Sequence, residues 1–465
     1  MNSDCRFIGL EAERWPTPPL SKRLRVLFTE NRRLTTATLT DRLAELYGDR
    51  PLFFLDHPIE YSFFQGSEIS FRTLARFTNR VGHWLRTLGV KRGDRIGLAT
   101  KNRVEMAFAE FGAQKIGAVP VPINAMLRGE EIQQLMQDAG CRVLVIDRAV
   151  FEENIQDTRR VPSVETWALV SRRSLPGLES FREGIERAEE TLEAAAVADS
   201  DLAVIFYTAG TTGLPKGAML SSGALMFGVR YSAKLRAFMP FAKRDLTLSV
   251  MPLAHTSGHQ ALLLHMALGN PAYLLGRFDP ARTLELIEKL RVTSFSGIPT
   301  MYRMLLQAGA AEADLSSVAY FGGGADAFSD DLISTFLALA DRGKRGRSKT
   351  RFIRGYGLTE TAGQLSQAQP GPLGNACIGK PIPGVDFQIW DEGLRPVRAG
   401  EVGELVARTP GLMKGYWNNS EMTEEAFRGG WFHTGDLARK GENGNYYLAS
   451  RKKEMIKVGG YSVFP

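Results

Sequence analysis

Apolar positions recur at helical spacing from Phe71 to Leu88, where Leu74, Phe77, Val81, Trp84 and Leu85 fall on one face. Gly89 and the turn Lys91-Arg92-Gly93-Asp94 end that helix, and the apolar run Arg95 to Ala99 follows as a strand. The alternation continues. Val104 to Ile116 reads as a helix, Ala118 to Ile123 as a strand, Glu130 to Gly140 as a helix and Val143 to Ile146 as a strand, which predicts a largely parallel sheet. Residues 152 to 200 are more polar, and Glu179 to Glu193 reads as an acidic surface helix.

A second alternating block runs from Leu202 to about Ile353. Its strands are Ala203 to Tyr207, Leu246 to Val250, Ala272 to Leu275, Ser294 to Ile298 and Val318 to Phe321, with helices such as Ala281 to Leu290 and Thr300 to Leu306 between them. From Gly379 onward, short strands and Gly/Pro turns dominate, as in Phe387 to Trp390, Gly403 to Ala407 and Asn445 to Leu448. That pattern predicts a small barrel or a twisted antiparallel sheet.

Composition narrows the class. With 465 residues, 44% hydrophobic and 23% charged, the chain has ample material for a globular core, and disorder, collagen and coiled coil are excluded. The net charge of +7 is spread too thinly for a nucleic-acid stripe. The densest basic run, Arg342, Lys344, Arg345, Arg347, Lys349 and Arg351, is interrupted by Gly and Ser and reads as a solvated loop. Cys5, Cys141 and Cys377 are odd in number and far apart, which fits a reducing compartment. No apolar run approaches the ~18 residues of a membrane span, so a cytoplasmic protein is expected.

The chemistry concentrates in Thr208-Ala209-Gly210-Thr211-Thr212-Gly213-Leu214-Pro215-Lys216-Gly217, behind an apolar strand. Gly210 and Gly213 free the backbone so that N–H groups can point into one concavity; Thr208, Thr211 and Thr212 add hydroxyl donors, and Lys216 adds a cation. This is a polyphosphate cradle of non-Walker type, because the lysine lacks the flanking Gly and Ser/Thr. His255 and His259 have the i, i+4 spacing of a zinc half-site, but no Glu follows the first His and Gly258 and Pro252 interrupt the stretch, so a metal is rejected.

The loop resembles the signature loop of the adenylate-forming superfamily, which includes acyl-CoA synthetases, aryl-CoA ligases, luciferases and peptide-synthetase adenylation domains. Four further segments follow in the family's order: Phe321-Gly322-Gly323-Gly324-Ala325, Gly355-Tyr356-Gly357-Leu358-Thr359-Glu360-Thr361, Trp431-Phe432-His433-Thr434-Gly435-Asp436-Leu437, and Arg451 to Gly460. The resemblance covers about residue 36 to the end. It implies an α/β fold in which a large N-terminal domain, 1–450, holds two β/α subdomains with stacked sheets (about 36–200 and 201–375) and a small β-barrel subdomain (376–450). Residues 451–465 would be a stub of an otherwise absent C-terminal α+β domain.

The resemblance also implies an activity: a carboxylate attacks the α-phosphate of ATP, pyrophosphate leaves, and a thiol, usually coenzyme A, then takes the acyl group. Thr208, Thr211, Thr212 and Lys216 would hold the β- and γ-phosphates, and Glu360, with Thr211, the Mg²⁺ that bridges them. Out of context Glu360 would be read as a helix N-terminal acid, and Asp436 as a turn former. In the family pattern, Tyr356 stacks near adenine, Thr359 reaches the α-phosphate, and Gly322, Gly323, Gly324 and Ala325 let the base approach. Gly357 belongs to the same central motif. Asp436 would accept from the ribose hydroxyls with Arg451 beside it, and Gly460 would let the pantetheine arm pass.

His255 would line the acyl pocket and gate the path to ATP, whereas His259 and His265 would be packing residues. The candidate pocket is His255, Thr256, Ser257, Gly258, Gln260, Leu262 and Leu263, with Ser296, Gly297, Ile298 and Pro299 opposite. It holds no acid to pair with an amino group and is mostly apolar, so a medium- or long-chain fatty acid is expected, in a monomer or homodimer. The alternatives are another acid such as an aryl acid, loading of an acyl carrier protein, or a truncated adenylate-binding protein. The family's late lysine is absent from this sequence, which implies slow adenylation and poor thioester formation. Ser450 stands at the hinge position where the family has Asp or Lys, and Ala209 where it commonly has Ser.

Overall fold

The computed structural model describes residue 21 and residues 34–171, 175–208, 215–237, 245–324, 326–342, 344, 349–371, 373–452, 456–458 and 461–463. Two sheets organise it. Four strands, Arg95–Ala99, Val119–Pro122, Cys141–Asp147 and Thr166–Val170, with the short Glu179–Ser180, form a parallel five-stranded sheet. The other sheet has thirteen strands and changes character along its width. Thr247–Ser249, Ala272–Leu274, Ser294–Gly297, Tyr320–Gly323 and Arg351–Leu358 pair in parallel. Beyond Arg351–Leu358 every pairing is antiparallel, out to the edge strand Asp386–Trp390. The C-terminal strands are therefore an open, antiparallel continuation of the large sheet. Pro51–Tyr61 and Phe64–Ser70 also join this sheet, through parallel pairing of Phe53 with Ala272.

The side-chain period of two on each strand separates the cores. Val143 and Val145 face one cluster while Leu144 and Ile146 face another, and Phe53 and Leu55 divide from Phe54 in the same way. Helices Phe71–Thr87, Val104–Lys115 and Thr256–Leu268 fill the space between the two sheets, where Phe77 and Phe108 stack at 4.1 Å. Helix Gly129–Ala139 covers the outer face of the five-stranded sheet. Helices Pro280–Leu290, Pro299–Gln307 and Asp330–Asp341 cover that of the large sheet. In that last layer Tyr302 is wholly buried among Phe295, Phe321, Phe328, Phe336 and Phe352, and its hydroxyl donates to the Gly322 carbonyl at 2.8 Å.

The acidic helix expected over Glu179 to Glu193 is shorter, spanning Phe181–Arg187. The carbonyls beyond it find side-chain donors instead: Arg80 donates to Ala188, Asn79 to Glu190, and the His83 ring meets Thr191. Lys344, expected in a solvated loop, turns inward and donates to the Val318 carbonyl at 2.8 Å. Among the described residues no helix is long and apolar enough to cross a membrane.

One buried cation ties the inner helices. Lys115 has no exposed side-chain surface, and its ammonium donates to Asp41 and Asn79. Desolvation holds its pKa below the ordinary lysine value while Asp41 opposes that shift. Removing one partner of a buried pair strands the other, whereas replacing the charge with an apolar chain is far milder. Because Asp41 is itself a third exposed and Asn79 still accepts from the ammonium, Asp41→Ala should cost about 2 kcal/mol in urea unfolding, and Lys115→Met clearly less. Equal losses would contradict this reading of the pair.

Candidate active site

The strand Leu202–Thr208 is followed by an antiparallel partner, Lys216–Ser221, so the phosphate-loop segment connects the two strands of a hairpin. Thr208 and Lys216 are cross-strand neighbours at its mouth. Ala209, Gly210, Thr211, Thr212 and Gly213 lie outside the described residues, as do Ala325 and Gly460. The hairpin is anchored in the inner core through Val204, Phe206, Ala218 and Leu220.

Glu360 sits where the large sheet reverses. Strand Arg351–Leu358 ends in the single turn Thr359–Thr361 and returns as Gly363–Gln367. Ala362 closes the turn in the left-handed region, φ 51°, an uncommon conformation for a residue with a side chain. The strands approach so closely that a Cβ on Gly357 would lie 1.9 Å from the Gly363 carbonyl oxygen. Gly357 is thus required by the backbone crossing itself.

A segment that sequence reasoning did not single out, Met413 to Trp417, joins this turn to the hairpin. Met413 N–H donates to the Glu360 carbonyl at 2.8 Å, Lys414 N–H to Met219 at 2.8 Å, and Trp417 N–H to Gly217 at 2.7 Å. Between them Tyr416 donates its hydroxyl to Glu360 Oε1 at 3.0 Å, and Lys216 Nζ lies 5.2 Å from the centre of its ring. Burial and then the Glu360 carboxylate raise the Tyr416 pKa, so the phenol stays a donor. Lys216 and Glu360, 144 residues apart in number, are therefore held on one aromatic spacer.

The ribose-type motif is equally connected. Asp436 pairs with Arg451 across adjacent strands; Arg451 Nε lies 2.8 Å from Oδ1, and the Tyr356 hydroxyl donates to Oδ2 at 2.6 Å. Tyr356 is 8% exposed, packed against Phe387, and burial, then Asp436, keep its phenol protonated. Its hydroxyl is thus committed to orienting Asp436. The glycines of the adenine-type turn have packing reasons too: a Cβ on Gly322 would lie 2.5 Å from Ser296 Oγ, on Gly323 2.4 Å from the Phe328 ring, and on Gly324 2.7 Å from the Gly355 carbonyl.

His255 caps helix Thr256–Leu268: its Nδ1 accepts from the Ser257 N–H at 3.3 Å and lies 2.8 Å from Ser257 Oγ. Desolvation lowers its pKa. His259 faces away, its Nε2 2.7 Å from Glu110 Oε1 in the inner core. Gly258 does not line open space, because its Cβ direction points at the Pro252 carbonyl, 2.1 Å away. Thr256, Leu262 and Leu263 are likewise buried, and so is Gly297, while Ile298 is half-buried.

With this geometry in place, comparison with known proteins is decisive. The model of a family described as "AMP-binding enzyme" matches residues 41–417. The chain belongs to that AMP-binding enzyme family. It is 32% identical to a feruloyl-CoA synthase of Amycolatopsis sp over 86% of this chain and 77% of the relative. It is 28% identical to a long-chain-fatty-acid–CoA ligase of Bacillus subtilis (strain 168), over 86% of this chain and 75% of the relative. The solved structure of the anthranilate CoA ligase AuaEII with anthranoyl-AMP superposes with a TM-score of 0.81 at 27% identity, covering 93% of this chain and 80% of that one. In this AMP-binding enzyme Lys216 lies over the Tyr416 ring and Glu360 accepts from the Tyr416 hydroxyl, which places a cation and a carboxylate on the two ends of one aromatic side chain.

One site-adjacent ion pair sets a pH dependence. Glu404 is buried, and desolvation opposes its ionisation. Hydrogen bonds from His433 and Lys452 outweigh that penalty and draw the carboxyl from 4.5 down to about 2. A depressed carboxylate stabilises the fold above the unfolded value and loses that contribution as pH falls through the folded one. Between pH 4.5 and about 2 the protein should lose of order 3 kcal/mol through this group. Glu404→Gln should flatten that part of the acid-unfolding profile; an unchanged profile would remove Glu404 from the account.

Proposed function

We propose that the chain activates a carboxylic acid with ATP, forming an acyl adenylate and pyrophosphate, and then passes the acyl group to coenzyme A with release of AMP. The observation that carries the reading is the Lys216–Tyr416–Glu360 arrangement at the mouth of the hairpin. An anionic acid must approach a polyanionic nucleotide, and fixed positive charge and donors must take up the charge that develops on the phosphates. Lys216 and Thr208, with Thr211 and Thr212, would grip the β- and γ-phosphates. Glu360 would hold the Mg²⁺ that supplies Lewis acidity when bound, with Thr211 beside it, and Thr359 would face the α-phosphate. Asp436, oriented by Tyr356 and Arg451, would bind the ribose hydroxyls, and Gly322 to Ala325 the base. His255 would stand at the acyl end as a neutral group, since its Nδ1 is committed to the helix cap.

For the acid, two readings have support. The long-chain ligase relative favours a medium- or long-chain fatty acid. The feruloyl and anthranilate relatives favour an aryl acid. Coenzyme A is the acceptor that these ligases support.

The test is acid-dependent exchange of labelled pyrophosphate into ATP. Exchange should require an acid, and Lys216→Ala and Glu360→Gln should each reduce it about 100-fold while His259→Ala changes it little. Exchange indifferent to the acid, or untouched by both variants, would refute the proposal.

A further inference from the structure

The apolar character of the expected acyl pocket rested largely on Leu262 and Leu263, which the fold places in the inner core at 4% and 1% exposure. The N-terminal half of helix Thr256–Leu268 leaves half-buried Ser257, Gln260 and the small Ala261 accessible, behind exposed His255 at its cap, so its accessible hydrogen-bonding groups outnumber its apolar ones. Ser257 and Gln260, three apart, share one face of the helix. Ser296, opposite in the sequence-defined pocket, is exposed as well.

Gln260 reaches into the space beside the nucleotide turn. Its side chain lies between two glycines with no Cβ to fill the gap. A Cβ on Gly228 of helix Ser222–Ala237 would be 3.1 Å from Gln260 Oε1, and one on Gly363 would be 3.0 Å from Gln260 Cγ. Gly363 follows Glu360 by three residues and opens the strand that returns from the same turn. Gln260 Nε2 is buried there and has no hydrogen-bond partner. A buried amide without a partner costs about 1–3 kcal/mol, and the two glycines beside it contribute no side chain that could satisfy it.

We infer that Gln260 is a specificity-determining residue of the acyl pocket, and that its carboxamide hydrogen-bonds a hydroxyl carried by the substrate acid. The inference rests on the acid-activating reading above and names its substrate class: hydroxylated acids in preference to plain alkyl or unsubstituted aryl acids. A hydroxyl both donates and accepts, so it satisfies either end of the carboxamide. A site built around such a bond rejects the analogue that lacks it, because binding that analogue leaves the buried amide unpaired.

Matched acids differing by one hydroxyl test this on the full chain by titration calorimetry in the presence of AMP: cinnamic against hydroxycinnamic acid, and octanoic against hydroxyoctanoic acid. The hydroxylated member of at least one pair should bind about tenfold more tightly. Gln260→Met should bring that ratio close to one and leave the melting temperature equal or higher, because an unpaired buried amide has been removed. A wild-type chain without preference, a preference that survives Gln260→Met, or a large fall in melting temperature would each overturn the assignment. Failure of every acid to bind would instead refute the acid-activating reading, and this inference with it.

Discussion

The close approach of Gly357 and Gly363 is the constraint on which the site depends. It forces the strand Arg351–Leu358 to reverse at a single tight turn, and that reversal is where a parallel sheet becomes an antiparallel one. A side chain at Gly357 would collide with the opposing backbone, and Ala362 holds a left-handed conformation to complete the turn. The turn carries Glu360 out of the sheet on one side and leaves Tyr356 in the strand on the other. The parallel half brings the glycine-rich strand Tyr320–Gly323 alongside, and the antiparallel half brings Asp436 and Arg451.

Around that turn the chain uses backbone hydrogen bonds to fix distant parts. Met413 to Trp417 lies across the hairpin Leu202–Thr208 and Lys216–Ser221 and is hydrogen-bonded to both the hairpin and Glu360. Tyr416 then stands between cation and carboxylate, its ring facing Lys216 and its hydroxyl holding Glu360 Oε1 in place. The same logic holds at Asp436, where Tyr356 and Arg451 orient the carboxylate before anything binds.

How much of this the sequence revealed follows from what each feature depends on. Strand Arg95–Ala99 and helices Phe71–Thr87 and Val104–Lys115 were legible because local periodicity and turn residues specify them. The Gly-Tyr-Gly-Leu-Thr-Glu segment, which the structure places at the sheet reversal, stood out in the sequence only through its resemblance to a family motif, because a single tight turn has no periodicity to announce it. Tyr416 was not, since its partners Lys216 and Glu360 are remote in sequence and a Gly-Tyr-Trp run has no periodicity. Chain length past Arg187 failed as a helix because Arg80, Asn79 and His83 offered its carbonyls other donors. Nor could a residue row distinguish Leu262 from Gln260: both lie on one helix, and only the packing shows which faces the core.

The central claim is that the hairpin, the Thr359–Thr361 turn and the segment Met413 to Trp417 together form a site for a magnesium nucleotide. Calorimetric titration of ATP into the folded chain, with and without Mg²⁺, tests it most directly, alongside Tyr416→Ala to remove the spacer. The account predicts binding that strengthens with Mg²⁺ and is weakened at least tenfold by Tyr416→Ala. Absence of nucleotide binding by the folded wild-type chain, or binding indifferent to Tyr416, would contradict it.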